Sequence, residues 1–212
     1  TMPMLRAREL TDVIRKGRIS HALCVDALTE ELFLAQQQCP TLANITTLES
    51  LQRIAASKST DCPAAQTTHD DLALMAFTSG TTGTPKAALH THRDLMAACE
   101  AWPRHVLRAT SDDIVVGSPP LAFTFGLGGL LLFPMWAGAS VYFADAAYTP
   151  ESMIDAINTV GATICYTAPS FYRRMAAVAE KRPMPTLKKC VSAGEGLPDA
   201  TRQLWKQATG IE

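Results

Sequence analysis

The run Phe77-Thr78-Ser79-Gly80-Thr81-Thr82-Gly83-Thr84-Pro85-Lys86 holds the densest chemistry in this sequence. Five of its residues carry small hydroxyl side chains, two are glycines and a lysine closes it. Glycine reaches positive φ without steric cost, so a backbone built on it can turn successive N–H groups toward one concavity. The hydroxyls add donors, and the lysine adds a compact positive charge on a flexible stem. That inventory suits a polyphosphate. It is not a Walker A loop, which needs Gly-Lys followed by Ser or Thr at the head of a helix. Here Pro85 precedes Lys86, and Ala87-Ala88-Leu89 continues as a strand. A flexible Ser/Thr/Gly linker shares the composition, but not the apolar strand directly before, the Pro-Lys ending or the strand directly after.

Helices and strands that alternate along the chain must position this run. Leu10, Val13 and Ile14 mark one face of a leading helix, Ser20 to Val25 reads as a strand and Ala27 to Gln38 as a helix. Residues Ala55 to Asp71 have no period and read as a linker. Leu72 to Phe77 and Ala87 to His90 are the strands on either side of the run. Asp94 to Trp102 reads as a helix that Pro103 should end or kink. Ile114 to Gly117 and Ser140 to Phe143 are predicted strands around an apolar helix near Gly128 to Trp136.

Thr149-Pro150-Glu151 is a helix start: an N-cap threonine, proline at the first helical position and an acid at the positive end of the dipole. Met153, Ile157 and Val160 supply its buried stripe. Ala162 to Thr167 is a strand, followed by a helix with Phe171, Met175 and Val178 at helical spacing. Cys190 to Ala193 is a further strand, and Pro198 opens the last helix. Strands separated by helices imply βαβ crossovers, so the fold class is α/β with a largely parallel sheet and flanking helices.

Composition excludes several classes. A chain of 212 residues with 47% hydrophobic content can bury an ordinary globular core. A formal net charge of -1 supplies no basic field for nucleic acid or an anionic membrane. The most apolar stretch, Leu127 to Ala139, is interrupted by glycines and Pro134 and is too short to span a bilayer. The six cysteines and five histidines show no metal-ligand spacing, so no metal-binding residue is assigned. With Cys24, Cys165 and Cys190 in apolar runs, and no signal peptide at the start, a reduced cytoplasmic protein is expected.

Two further segments complete the pattern. Pro120-Leu121-Ala122-Phe123-Thr124-Phe125-Gly126 reads by itself as an apolar helix start, and Val191-Ser192-Ala193-Gly194-Glu195-Gly196-Leu197-Pro198 as a strand-to-helix turn with Glu195 as a helix N-terminal charge. Together with the hydroxyl-rich run, they resemble the motifs of the adenylate-forming superfamily, which contains acyl-CoA synthetases, luciferases and peptide synthetase adenylation domains. The resemblance covers essentially the whole chain. It implies that Thr78, Ser79, Gly80, Thr81, Thr82, Gly83, Thr84 and Lys86 hold the β- and γ-phosphates of ATP, with Lys86 also catalytic. It likewise implies that Ala193, Gly194 and Glu195 line the adenine site, and that Phe123, Phe125 and Gly126 line the acyl-substrate pocket. Ala87 departs from the family, which usually has glycine there.

Within the superfamily, Leu89-His90-Thr91-His92, Phe125-Gly126-Leu127-Gly128 and Ser192-Ala193-Gly194-Glu195 look most like benzoate- and 2-aminobenzoate-CoA ligases. The resemblance implies ATP-dependent conversion of an aromatic acid to an acyl-adenylate and then a coenzyme A thioester, with ATP, Mg2+ and coenzyme A taking part. Rival readings are an adenylation domain that loads a carrier protein and a non-catalytic nucleotide-binding module. Residues 1–212 are expected to be the middle of a large N-terminal domain: 1–71 a leading α/β segment and linker, 72–92 the phosphate-loop hairpin, 93–212 an α/β subdomain. The family's magnesium carboxylate and its small C-terminal domain with the adenylation lysine are expected outside them, so the fragment alone is expected to be inactive.

Overall fold

The computed structural model describes residues 2–78 and 85–211. The chain divides into two compact units, Thr1–Leu95 and Met96–Glu212.

In the first unit, α1 (Ala7–Gly17) buries Leu10, Val13 and Ile14, the face that the sequence marked. It ends at Arg18, which takes the left-handed conformation with φ 51°. Strand β1 (His21–Cys24) follows, then a short 3₁₀ turn at Asp26–Leu28 and α2 (Thr29–Gln37). Leu32, Ala35, Cys39 and Leu42 pack with Leu10 and Ile14 to form this unit's core. Strand β2 (Asn44–Thr47) runs parallel to β1, and Thr47 caps α3 (Leu48–Ala55) by accepting from the Ser50 amide at 3.1 Å. Neither β2 nor α3 is among the elements expected from the sequence. The β2 tetrapeptide carries one aliphatic side chain, and the helical period of α3, Leu48, Leu51 and Ile54, spans barely two turns and buries no residue. Irregular backbone then leads to β3 (Leu72–Thr78), which pairs antiparallel with β4 (Lys86–Thr91).

The helix α4 (His92–Cys99) continues through a π-helical stretch, Glu100–Leu107, and closes at left-handed Arg108. Pro103 was expected to end or kink a helix over Asp94 to Trp102; the helix does not end there, and Pro103 lies buried inside the helical run. The wider π turn makes room for a ring that would otherwise press on the preceding turn.

In the second unit, β5 (Ile114–Gly117) is followed by one helical run made of α5 (Thr124–Leu127), a π segment at Gly128–Leu132 and α6 (Phe133–Ala137). Strand β6 keeps only Ser140–Val141 of the expected Ser140 to Phe143, because Tyr142 and Phe143 are exposed beyond the last ladder pair with β5. Thr149 caps α7 (Pro150–Val160) as the sequence predicts, accepting from the Ser152 amide at 3.2 Å. Strand β7 (Ile164–Thr167), α8 (Pro169–Ala179), β8 (Lys189–Ser192) and α9 (Asp199–Thr209) complete the unit, with Pro198 as the N-cap of α9.

The sheet is parallel throughout, in the order β6-β5-β7-β8. Its two faces are covered separately, as a parallel sheet requires. Val116 and Cys165 point to the core made with Met153, Ile154 and Ile157 of α7, Met175 of α8 and Trp205 of α9. Val115, Ile164 and Tyr166, one residue out of phase, point to the core that includes Leu130 and Phe125. This is the α/β architecture expected from the sequence.

At the amino ends of the strands, buried Asp113 ties the sheet together. It accepts from the Thr110 amide at 2.9 Å, the Thr163 hydroxyl at 2.7 Å and Lys189 Nζ at 2.9 Å. Burial pushes its carboxyl up, but these three bonds outweigh burial and hold it below the usual carboxylate range.

Candidate active site

The hydroxyl-rich run is carried between the paired ends of β3 and β4. Thr78 and Lys86 are the final Cα partners of this ladder, after Phe77 and Ala87. Residues directly opposite in an antiparallel pair project on the same side, so the Thr78 hydroxyl and the Lys86 ammonium leave the hairpin together. Both are exposed. Ser79, Gly80, Thr81, Thr82, Gly83 and Thr84 lie outside the described residues. The far end of the hairpin is closed by His92 N–H donating to Asp71 O at 3.1 Å and by Arg93 N–H donating to His69 O at 2.9 Å. There Asp94 accepts from the Thr91 amide at 2.7 Å, and the Asp94 amide donates to the Thr91 hydroxyl at 3.3 Å. The Thr91 amide and hydroxyl hold the Asp94 carboxyl below its usual range.

In the second unit, the remaining predicted residues lie along the carboxyl edge of the parallel sheet. The chain leaves β5 toward β6 on one side and leaves β7 toward β8 on the other, so the β5/β7 junction is a topological switch point. Ligands of open α/β sheets bind in the crevice that opens there. At this junction the Ser118 amide donates to Tyr166 O at 3.0 Å, and the Ser118 and Thr167 hydroxyls are hydrogen-bonded to one another. Composition gave no sign of this pair; its one signal is a serine directly after an apolar strand.

After β5, Pro119 and Pro120 turn the chain back onto the start of α5. The Phe123 amide donates to Pro120 O at 3.0 Å. A Cβ at Gly126 would stand 2.1 Å from Pro120 O and 2.7 Å from Pro119 O, so only glycine fits under this turn. Phe123, the N-cap of α5, is 54% exposed. Phe125 faces inward, its ring 5.8 Å from that of Tyr166 and packed against the Val115, Leu130 and Ile164 core. Of the two phenylalanines assigned to the acyl pocket, Phe123 therefore offers a free ring and Phe125 supports the helix from below.

After β8, Ala193, Gly194 and Glu195 form the turn that precedes α9, and Gly194 takes φ +92°. Glu195 was expected to serve the helix that follows it. It instead accepts from the Ser170 amide at 2.8 Å, in the first turn of α8, where the N-terminal end of that helix dipole favours an anion. The Ser170 hydroxyl and amide hold its carboxyl below the usual range. The β8 turn and the α8 start are thereby joined across neighbouring strands.

Two cysteines of this unit lie in its sheet, Cys165 buried and Cys190 partly so. Burial pushes the Cys165 thiol far up and the Cys190 thiol up to about 11, so neither forms a thiolate near neutral pH. Among the described residues, no group of three or more His, Cys, Asp or Glu stands close enough to hold a metal ion, and no helix is long and apolar enough to cross a membrane.

Comparisons with known proteins give these geometries a context. The benzoate–CoA ligase of Thauera aromatica is 31% identical over 186 residues, which cover 82% of this chain and 35% of that enzyme. A p-hydroxybenzoic acid–AMP ligase of Mycobacterium tuberculosis is 37% identical over 128 residues, covering 60% of this chain and 18% of the relative. The crystal structure of the anthranilate CoA ligase AuaEII in complex with anthranoyl-AMP superposes with a TM-score of 0.88 at 30% identity, covering 100% of this chain and 43% of that one. The chain thus spans well under half the length of the relatives it matches. The family model described as AMP-binding enzyme matches residues 1–212, and the chain belongs to that family.

Proposed function

We propose that the protein carrying this chain activates an aromatic carboxylic acid with ATP and transfers the acyl group to coenzyme A. The observation that carries the reading is the β3–β4 hairpin, whose last pair, Thr78 and Lys86, brackets the hydroxyl- and glycine-rich run. In the first half-reaction a carboxylate oxygen of the acid attacks the α-phosphorus of ATP. The bond to the bridging oxygen of the β-phosphate breaks, pyrophosphate leaves and an acyl-adenylate remains. In the second, the coenzyme A thiol gives up its proton and attacks the acyl carbonyl, and AMP leaves with the oxygen that linked it. Activation is needed because a carboxylate is a poor electrophile.

Thr78, Ser79, Gly80, Thr81, Thr82, Gly83 and Thr84 are read as donors to the β- and γ-phosphates. Lys86 offsets the charge that grows on the departing pyrophosphate, which is electrostatic catalysis by a prepositioned group. Ala193 and Gly194 are read as the adenine platform, Glu195 as the residue that fixes it to α8, and Phe123 with Gly126 as the acyl wall, backed by Phe125. Magnesium is the metal that such phosphate chemistry uses, but the described residues bring no ligand set together for it. No step is therefore assigned to it.

These 212 residues are read as the central part of a large N-terminal domain, working in the cytoplasm. The activity belongs to the longer protein, since the chain spans 35% of the Thauera relative. The aromatic assignment rests on Phe123 and on the activities of the relatives, which are named for benzoate, p-hydroxybenzoate and anthranilate. A second reading, release or transfer of the adenylate without coenzyme A, is favoured by the likeness to an acid–AMP ligase.

The test is a panel of acids with the full-length protein, ATP and coenzyme A, scored by kcat/KM for thioester formation. Benzoate and its amino and hydroxy derivatives should lead. Medium-chain fatty acids in the lead would refute the aromatic assignment, and adenylate without thioester would favour the second reading. The 212-residue chain alone should give no turnover.

A further inference from the structure

The phosphate hairpin is held from outside by the last turn of α1. Lys16, in that turn, donates from Nζ to Pro85 O at 2.7 Å, across 69 residues of sequence. Pro85 directly precedes Lys86, so the ammonium grips the backbone at the root of β4. The neighbouring residue lies beside the other root: a Cβ added at buried Gly17 would stand 3.6 Å from Phe77 Cζ, and Phe77 directly precedes Thr78. One helical turn thus lies beside both strands at the open end of the hairpin and holds one of them by a charge-assisted hydrogen bond. The rest of α1 is anchored independently through buried Leu10, Val13 and Ile14, so the turn is a fixed point. Lys16 itself is exposed and packs into no core. A cation in the last turn of a helix is favourable for the dipole alone, but that role needs no partner on another element.

We infer that Lys16 is a positioning residue for ATP: by holding the Pro85 carbonyl it fixes where Lys86 leaves the sheet, and so where that ammonium meets the phosphates. The inference rests on the reading of Thr78 to Lys86 as a phosphate site. Lys16→Met removes the donor and charge at nearly constant length, and Lys16→Arg keeps both.

In the full-length protein, Lys16→Met should raise KM for ATP by about three- to tenfold, the range for a charged hydrogen bond at an exposed site. KM for the acid and the thermal midpoint should stay at their wild-type values, and Lys16→Arg should recover most of the ATP affinity. If the methionine variant does not fold, Lys16→Leu, which also lacks donor and charge, gives the same comparison. An unchanged KM for ATP, or equal rises in KM for ATP and acid, overturns the inference. Lys86→Ala measured alongside separates the two readings. If it too leaves ATP kinetics untouched, the phosphate assignment fails; if it alone impairs them, only the role of Lys16 fails.

Discussion

Gly126→Ala tests whether the turn after β5 sets the acyl wall. Alanine is the better helix former by about 1 kcal/mol, so on propensity alone the change within α5 would stabilise the protein. The local geometry opposes this. The new Cβ would meet Pro120 O at 2.1 Å, Pro120 C at 2.6 Å and Pro119 O at 2.7 Å, and ordinary Cβ contacts begin near 3.4 Å. The turn must retreat by about 1 Å, and the atoms met are backbone of two prolines that cannot rotate aside. Overpacking of this kind costs about 1–3 kcal/mol, and the unyielding neighbours favour the upper part of that range. After the gain in propensity, the net loss should be about 1–2 kcal/mol, or roughly 2–8 °C in the unfolding midpoint of a chain of this size. Since the Phe123 amide hangs on Pro120 O, the same retreat should raise KM for the acid more than KM for ATP. Gly196→Ala is the control, because nothing lies within 4 Å of its added Cβ, and it should stay within about 0.5 kcal/mol of wild type. Thermal or urea unfolding with steady-state kinetics reads all of this. A Gly126→Ala protein as stable as wild type, with an unchanged KM for the acid, would refute the reasoning.

Two stability predictions follow from the elements that support the sheet. Asp113→Ala leaves the Lys189 ammonium without its carboxylate and should cost about 2–4 kcal/mol at pH 7, read as a loss in urea midpoint. Because the folded state lowers the Asp113 pKa, its contribution is complete above the ordinary carboxylate range near pH 4 and fades as pH falls through the lowered value. Wild type and variant should therefore converge in acid, and a gap that persists undiminished through acid titration would contradict the assignment. Thr149→Ala removes the acceptor for the Ser152 amide at the start of α7 and should cost about 1 kcal/mol, with Thr149→Ser close to wild type in the same unfolding measurement.

What the sequence disclosed depended on how local each cause was. The start of α7 was legible because the cap, the proline and the buried stripe lie within a dozen residues. The hairpin was legible because its strands flank the run they carry. β2 and α3 were not, since β2 is too short to leave a period and the period of α3, Leu48, Leu51 and Ile54, spans barely two turns. Pro103 does not end its helix because the rule it invokes assumes α geometry, and the helix answers with a π segment. The long-range contacts were beyond reach for a different reason. Lys16 with Pro85, Ser118 with Thr167 and Asp113 with Lys189 meet across 69, 49 and 76 residues, and no local property of either partner names the other. Glu195 shows the same limit in small: its sequence neighbours pointed to α9, while packing of adjacent strands placed it on α8.

The central claim is that the Thr78 to Lys86 hairpin serves ATP-dependent activation of a carboxylic acid. Acid-dependent exchange of labelled pyrophosphate into ATP, measured with the full-length protein and its Lys86→Ala variant, tests it most directly. The exchange should require an aromatic acid and need no coenzyme A. Loss of one charged contact to the leaving group costs about 2–4 kcal/mol, so Lys86→Ala should slow it roughly 30- to 1000-fold. Exchange that ignores the acid, or that proceeds undiminished in the variant, would contradict the account.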